Sequence, residues 1–398
     1  MLMLYSVGCA YVRIGYLVVP SVSKFAHVSY FIVKRFGTQA TPSPMVEIIN
    51  CLTIKIMKMN LRMCFALAAA MTLSSCGIST NVPYMDAFAP EEQSLNLVKI
   101  TDESSSNILG GSFSTYYYSG EFTKTGIGGS VKNSVYWYAT KTLDISPDGE
   151  KIAYLSRLNN QDNVMVRSTK PGGFATQRTF RNVEDFTLGN NGKIYFSDKN
   201  GSNSYICSVD ANAGSLMNQH TSGNVKDSHP VLSAKGDKIY FVRGNSSSGP
   251  YIWSLANDGT LTMCARGFNP CIIKNNNDAF YCVRNSADGR SEIWYVDFVK
   301  GQESLIISDQ NRSFTNPCLS PDGKWIVCTG NSQSSISRKQ NLDIFVVRTD
   351  GTQLTQLTYH PANDMCPIWS SDGRSIYFVS SRANENNSNN IWRMNFDL

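Results

Sequence analysis

Few side chains in this sequence are of the types that perform acid–base or metal chemistry. Beyond residue 76 the histidines are His220, His229 and His360, and their wide spacing predicts that they lie in different structural units. His229 precedes a proline, as Asn316 does, so we interpret it as part of a turn at the start of a strand. The sequence contains no Gly-x-Ser-x-Gly, no His-Glu-x-x-His and no phosphate-binding glycine loop. We therefore predict no catalytic residue, no metal site and no cofactor.

Three aspartates recur immediately before a glycine: Asp148, Asp322 and Asp372. Converging carboxylates could bind calcium or act as an acid–base pair. An Asp-Gly pair is also typical of a tight turn, because glycine takes a positive φ without steric cost and the aspartate hydrogen-bonds its own backbone. Since the three aspartates lie in separate repeats, we assign them to turns and not to a common site.

The Asp-Gly turns belong to a unit that the sequence repeats six times, at intervals of about 41–51 residues. Each turn precedes an apolar run such as 151–155, and a second apolar run such as 251–254 appears in all six units. The β-branched and aromatic residues of these runs are typical of half-buried strands. A repeat of this length indicates stacked supersecondary units. We therefore predict an all-β fold, a six-bladed β-propeller over residues 95–398.

The sixth unit lacks its outer strand, because the sequence stops at residue 398, just after the third strand. Residues 94–101 resemble the outer strand at 354–358. We expect residues 95–101 to pair with residues 390–396, complete the last blade and close the ring. Closure removes exposed sheet edges, which otherwise promote aggregation.

The segments 316–324, 343–351 and 354–358 together resemble the WD40-like repeat of the TolB propeller family, and 366–373 resembles it equally well. The resemblance covers about residues 142–398 and implies the propeller fold. TolB itself has an α/β domain before its propeller and helps to link the outer membrane to peptidoglycan-associated lipoprotein. This sequence leaves no room for that domain, so we do not carry TolB's partners over to it.

Residues 57–76 have the order of a bacterial lipoprotein signal peptide. A basic stretch at 57–62 precedes an apolar, alanine-rich stretch at 63–73, and Leu-Ser-Ser-Cys ends at Cys76. The apolar stretch is too short to span a bilayer. We therefore predict a signal peptide at 57–75 and lipidation of Cys76.

Three further expectations follow from this leader. Residues 1–56 are a non-native upstream extension, and residues 76–94 are a tether between lipid and propeller. Gly77 stands where an aspartate would signal retention in the inner membrane, and no acidic run follows it. We expect a protein anchored by lipid in the outer membrane and facing the periplasm.

The charge balance changes once the leader is set aside. The chain contains 36 Lys and Arg and 31 Asp and Glu residues, and residues 1–76 hold seven of the former and one of the latter. The remainder is close to neutral. A nucleic-acid-binding surface needs a clustered basic face. The sequence offers no electrostatic basis for binding nucleic acid.

Seven cysteines follow Cys76, an odd number that excludes complete intrachain pairing. Most stand where sister repeats have Phe, Ile or Val, so we interpret them as small buried hydrophobic residues and not as disulfides. No Cys-x-x-Cys pair and no Cys/His cluster suggests zinc. The seven are Cys207, Cys264, Cys271, Cys282, Cys318, Cys328 and Cys366.

Residues 102–140 do not fit the repeat and form a tyrosine-rich insertion, which we interpret as a loop or hairpin on one face of the ring. It is either a plug packed against the ring or an exposed aromatic patch for a protein or glycan partner, since Tyr and Trp are enriched at binding hot spots. The candidate binding residues are Tyr116, Tyr117, Tyr118, Tyr136, Trp137 and Tyr138.

Two functions of different classes remain open. The first is a non-enzymatic envelope lipoprotein whose propeller binds one or more envelope proteins in the periplasm. The second is a propeller enzyme that acts on polysaccharide as a lyase or glycoside hydrolase, which would need histidine, carboxylate and basic groups to converge in the central channel. The dispersed histidines favour the first.

Overall fold

The computed structural model describes residues 89–102, 108–110, 113–118, 134–212, 216–244, 250–286, 289–333, 340–383 and 388–396. These residues all fall within one compact unit, 81–398. They form a 3₁₀ helix at Pro90–Leu95 and otherwise β-strands. Among them, no helix has the length and apolar character that crossing a bilayer requires.

The strands follow one another as antiparallel meanders. After β1 (Val98–Lys99), β2 (Phe113–Tyr118) and β3 (Ser134–Ala139) pair with each other as a separate hairpin. The first sheet comprises β4 (Leu143–Ile145), β5 (Lys151–Leu158), β6 (Gln161–Ser168) and β7 (Thr176–Gln177). The second comprises β8 (Val183–Leu188), β9 (Lys193–Asn200), β10 (Asn203–Asp210) and β11 (Asn218–Gln219).

Four further sheets repeat this pattern. The third comprises β12 (Lys226–Leu232), β13 (Lys238–Gly244), β14 (Tyr251–Ala256) and β15 (Leu261–Arg266), and Lys226 pairs with Ser204 of the second. The fourth comprises β16 (Phe268–Ile273), β17 (Asn276–Asn285), β18 (Ser291–Asp297) and β19 (Gln302–Ile307). The fifth comprises β20 (Phe314–Leu319), β21 (Trp325–Gln333), β22 (Gln340–Arg348) and β23 (Thr355–Gln356). The sixth comprises β24 (Asp364–Trp369), β25 (Ser375–Ser380), β26 (Asn390–Asn395) and β1.

The N-terminal strand supplies the outer strand of the sixth sheet. Val98 pairs with Arg393, and Lys99 pairs with Trp392, in antiparallel register. The buried Thr101 hydroxyl continues the contact, because it donates to the Asn390 side chain at 2.7 Å. The predicted contact between the two ends of the chain is therefore observed for residues 98–101 with residues 390–393, whereas Leu95 belongs to the 3₁₀ helix.

Buried side chains fill the spaces between successive sheets. One cluster joins the last sheet to the first: Ile100, Met365 and Ile368 pack with Leu143 and Tyr154. Five similar clusters lie between the other neighbouring sheets of the described part. Sheets packed face to face in this order define a β-propeller.

The Asp-Gly turns have the structural role that the sequence predicts. The Asp322 carboxylate accepts a hydrogen bond from the Ser320 hydroxyl at 2.6 Å and from the Lys324 amide at 3.1 Å. The following glycine has a φ of 74°. Asp148 and Asp372 make the corresponding contacts in their own turns. These carboxylates hold turns in separate sheets and do not meet.

The predicted tether is too long at its C-terminal end. Residues 89–94 were assigned to it, but Ala89 is buried and the Glu92 side chain is fully buried. Glu92 accepts hydrogen bonds from the backbone amides of Tyr359 and His360 at 2.6 and 3.1 Å. A charged side chain held in this way fixes the 3₁₀ helix to the propeller, so a flexible tether would end before residue 89.

Candidate functional site: the central channel

The first strands of the sheets line one central channel, and in five of them the pairing register shifts: β8, β12, β16, β20 and β24. In the last four, the residue at the bulge has a left-handed backbone and precedes a proline; these residues are His229, Asn269, Asn316 and Cys366, with φ of 51°, 47°, 50° and 53°. We call them the axial ring. Proline is tolerated there because it lacks an N–H and the innermost strand is a sheet edge.

The axial ring binds the backbone that follows the β2–β3 hairpin. His229 Nε2 lies 3.1 Å from the Ala139 carbonyl oxygen, and Asn269 Nδ2 lies 2.8 Å from the same oxygen. Asn316 Nδ2 contacts both carbonyls of the segment, Ala139 at 3.4 Å and Thr140 at 3.3 Å. Side chains from three sheets therefore converge on two consecutive peptide groups.

The sixth sheet adds a thiol to this arrangement. The Cys366 Sγ lies 3.4 Å from the Thr140 carbonyl oxygen, and the Thr142 hydroxyl lies 3.3 Å from the same sulfur. Ala139 and Thr140 are each only 2 % exposed. The segment 139–140 thus occupies the channel axis, enclosed by four sheets.

The burial of His229 determines its charge, and its contacts determine which ring nitrogen carries the proton. Burial lowers the pKa of His229 to about 4, so the imidazole is neutral at pH 7. Because Nε2 faces a carbonyl, it carries the proton, and Nδ1 is left as the acceptor towards the Ser228 hydroxyl at 3.0 Å. The Asp185 carboxylate accepts the His229 backbone amide at 2.9 Å, and burial raises the pKa of Asp185 well above its usual range.

Beside the segment lies a small cavity of about 180 Å³, lined by the proline-containing strands and by Lys141. The Lys141 ammonium lies 2.8 Å from the Asp144 carboxylate. Burial alone would lower the pKa of Lys141, but the Asp144 charge outweighs it and the pKa is raised. The lysine is therefore a cation at neutral pH. Pockets for drug-sized ligands are roughly 300–1,000 Å³, so this cavity is small for an oligosaccharide.

Three cysteines also line the cavity, namely Cys271, Cys318 and Cys366. Burial raises the pKa of the Cys271 thiol to about 12 and also raises that of the other two. They are protonated thiols at neutral pH and poor nucleophiles. All seven cysteines of the described part are free thiols, and five of them are buried.

A second, larger cavity of about 510 Å³ lies between the first and second sheets. Thr140 and Thr142 line it, whereas Lys141 lines the smaller one, as expected when successive residues of an extended chain point to opposite sides. Its polar wall includes Arg157, which forms a bidentate pair with Asp162 at 2.7 and 2.9 Å. The segment 140–142 is thus a wall shared by the two cavities.

The sequence-predicted site residues are only partly described. Cys76 lies outside the described residues. The backbone of the tyrosine-rich segment forms the β2–β3 hairpin, in which Tyr116 pairs with Tyr136. The side chains of the six candidate binding residues lie outside the described part; they are Tyr116, Tyr117, Tyr118, Tyr136, Trp137 and Tyr138.

The histidines lie in different parts of the propeller. His220 follows β11 and contacts the Ser208 hydroxyl at 2.9 Å, and the amide of His360 binds Glu92. His229 lies at a β-bulge close to the predicted turn, but its side chain also reaches the axis.

Sequence reasoning missed Asn269, Asn316, Cys366 and Lys141 as channel residues. The available signal was the residue before proline, repeated in four units.

No group of three or more His, Cys, Asp or Glu side chains that could hold a metal ion occurs among the described residues. The channel therefore presents one lysine cation, amide donors, neutral thiols and a neutral imidazole. These groups can donate hydrogen bonds to carbonyl oxygens, and four of them do so to the protein's own backbone.

Fold and sequence together define the class of this protein as a β-propeller. Residues 256–397 match the family model described as PD40, TolB beta propeller domain. The match confirms the predicted resemblance of the repeats to the TolB propeller over this part of the chain.

Individual relatives are more distant. An uncharacterized protein of Agrobacterium fabrum (strain C58) is 30% identical over 160 residues, which is 38% of this chain and 50% of that protein. The chain spans at most half the length of the curated relatives that it matches. Among solved structures, a putative TolB from Agrobacterium tumefaciens has a TM-score of 0.48 at 17% identity and covers 67% of this chain and 95% of that one. An oligogalacturonate lyase from Vibrio parahaemolyticus has a TM-score of 0.45 at 9% identity and covers 73% and 98%.

Proposed function

We propose that this chain is a non-enzymatic lipoprotein of the cell envelope whose propeller is a protein–protein interaction scaffold in the periplasm. One observation carries the proposal: the chain's own peptide groups at 139–140 occupy the channel axis. An enzyme of this architecture would need open space and free acid–base groups there. In this channel the donors are already bound to backbone, which leaves the outer faces for partners.

The neutral charge balance of the propeller agrees with a protein partner in place of a nucleic acid. The cavity of about 180 Å³ is also smaller than the pockets that bind drug-sized ligands. Recovery of a stoichiometric envelope protein from crosslinked cells tests the proposal directly.

We further propose that lipid on Cys76 anchors the propeller in the outer membrane, facing the periplasm, with residues 77–88 as the tether. The basis is the order of basic, apolar and cysteine-containing segments before residue 77. Labelling with radioactive palmitate should mark the wild type and not a Cys76→Ser variant, and the variant should leave the membrane fraction. Equal labelling of the two proteins would exclude this anchor.

A specific observation also supports the alternative, an enzyme that acts on polysaccharide. Lys141 and His229 both line the central cavity, and each has a carboxylate beside it, Asp144 and Asp185. Against this, His229 is neutral and its Nε2 proton is bound to Ala139. Polygalacturonate and envelope polysaccharides incubated with purified protein separate the two functions. Product formation that is lost in Lys141→Ala would establish the enzyme, and no turnover by the wild type supports the scaffold.

A further inference from the structure

We propose that the axial ring is a binding site for peptide carbonyls, and that the segment 139–140 is its built-in, releasable occupant, which closes the channel. The inference concerns the channel alone and holds for a scaffold or an enzyme. It assigns a function to the β2–β3 hairpin, which the repeat of the propeller does not require.

The first support is the uniform construction of the ring. His229, Asn269, Asn316 and Cys366 hold left-handed backbones at equivalent bulges in four consecutive sheets. Asparagine and histidine adopt this conformation more readily than most residues, whereas cysteine does so at a cost. A strained backbone persists only where its surroundings over-determine it. Here the left-handed backbones direct all four side chains towards the same two carbonyl groups, those of Ala139 and Thr140.

The second support is how the occupant is attached. Within the described residues, β2 and β3 pair with each other and with no strand of the six sheets. Withdrawal of the segment would therefore break side-chain hydrogen bonds without dividing a sheet. Each hydrogen bond of this kind contributes little net stability, because water replaces the partner on release, so local opening does not require global unfolding.

The third support is what release would do. Thr140 lines one cavity and the adjacent Lys141 lines the other, so withdrawal of residues 139–140 would remove part of the wall between the two cavities. The vacated ring would present amide, imidazole and thiol donors to another extended peptide. The ligand class is a backbone segment in β conformation, with carbonyls spaced as those of residues 139 and 140.

Alkylation of Cys366, resolved by mass spectrometry on the folded full chain, tests this inference. Cys366 is 2 % exposed, and burial raises the pKa of its thiol, so release would increase both access and ionisation. In an Asn269→Ala/Asn316→Ala variant, Cys366 should react about tenfold faster or more, because the three hydrogen bonds from these two side chains to the segment are lost. Asn277→Ala is the matched control, since Asn277 binds Asp237 and does not touch the segment.

Cys282 and Cys328 serve as internal controls, because both are fully buried thiols in second strands, β17 and β21, and neither lines the central cavity. Their rates should stay unchanged in the variant. An unchanged Cys366 rate, or equal acceleration of all three thiols, would overturn the inference. If the double variant does not fold, each single variant gives the same comparison. A capped peptide of residues 134–140 should then slow the alkylation of Cys366 in the Asn269→Ala single variant, which keeps the His229, Asn316 and Cys366 contacts, and leave Cys282 unaffected; failure to do so would exclude carbonyl recognition by the ring.

Discussion

Glu92 and Arg382 lie 290 residues apart in the chain and form a bidentate ion pair with no exposed surface, with N–O distances of 2.8 and 3.1 Å. Arg382 also binds the Asp364 carboxylate. The pair joins the 3₁₀ helix to the loop that follows β25. Together with the pairing of β1 and β26, it makes the N-terminal segment an integral part of the sixth sheet.

Removal of this pair should destabilise the propeller strongly. Glu92→Gln leaves the Arg382 guanidinium buried with one carboxylate partner, and breaking a buried pair costs about 3–5 kcal/mol. Glu303→Gln is the matched control, because Glu303 binds Arg284 with the same bidentate geometry but is 46% exposed. The control should cost about 1 kcal/mol or less. Urea unfolding of both variants measures the difference, and equal losses would show that the buried pair does not fix the N-terminus.

Substitution of His229 should change how the unfolding free energy depends on pH. Its folded-state pKa is lowered, so the unfolded chain binds the proton more tightly and stability rises as pH increases from about 4 to 6.5. Asp185 beside it has a raised pKa and contributes in the opposite direction. We expect His229→Asn, which copies the sister residues Asn269 and Asn316, to match the wild type at pH 7. At pH 5 it should be more stable by about 2 kcal/mol. Parallel pH profiles for the two proteins would contradict a buried neutral histidine.

A second pH effect should arise from Asp343. Burial, followed by the neighbouring Asp364, raises its pKa to about 8, so the folded state holds the proton more tightly than the unfolded state. The stability that this provides is complete below the unfolded pKa and is lost as pH rises through about 8. Between pH 6.5 and 8 the unfolding free energy should fall by about 1–2 kcal/mol in the wild type and stay flat in Asp343→Asn. The exposed turn residue Asp350 is the control, and Asp350→Asn should keep the wild-type slope over this range.

Packing in the fifth sheet leaves no space for a methyl group at Gly330. An added Cβ would lie 2.7 Å from the Phe345 ring and 3.0 Å from the Phe314 ring, and these rings already pack edge to face. Gly330→Ala should therefore cost about 1–3 kcal/mol. Gly244, also in a strand, has no neighbour within 4 Å of the same position. Gly244→Ala should stay within about 0.5 kcal/mol of the wild type, and thermal melts of the two variants test the contrast.

The repeat predicted much of this fold because each unit carries its own local signals. Asp-Gly turns and alternating apolar runs determine strands locally, and the missing sixth outer strand identified residues 95–101 as its replacement. The burial of Glu92 was not predictable in this way. Nothing near it in sequence indicates Arg382, and a Glu-Glu pair before a strand is typical of a solvated segment.

The channel site was also harder to predict from the sequence, because it too depends on contacts between residues that are distant in the chain. The residue before proline recurs in four units, but whether its side chain points to the axis depends on the bulge and on the arrangement of all the sheets. The occupant lies in the inserted segment, outside the period. The cysteines were easier, because Cys282 and Cys328 replace phenylalanines of sister strands and are buried as those are.

The most direct test of the scaffold proposal is a pull-down of the full-length protein from crosslinked envelopes, quantified by mass spectrometry. The wild-type chain is compared with a Cys76→Ser variant, so that partners that depend on the proposed anchor are separated from partners that depend on the propeller. The scaffold proposal predicts one or a few envelope proteins in near-stoichiometric amount with the anchored form. Recovery of no enriched protein, together with turnover of a polysaccharide by the same preparation, would contradict it.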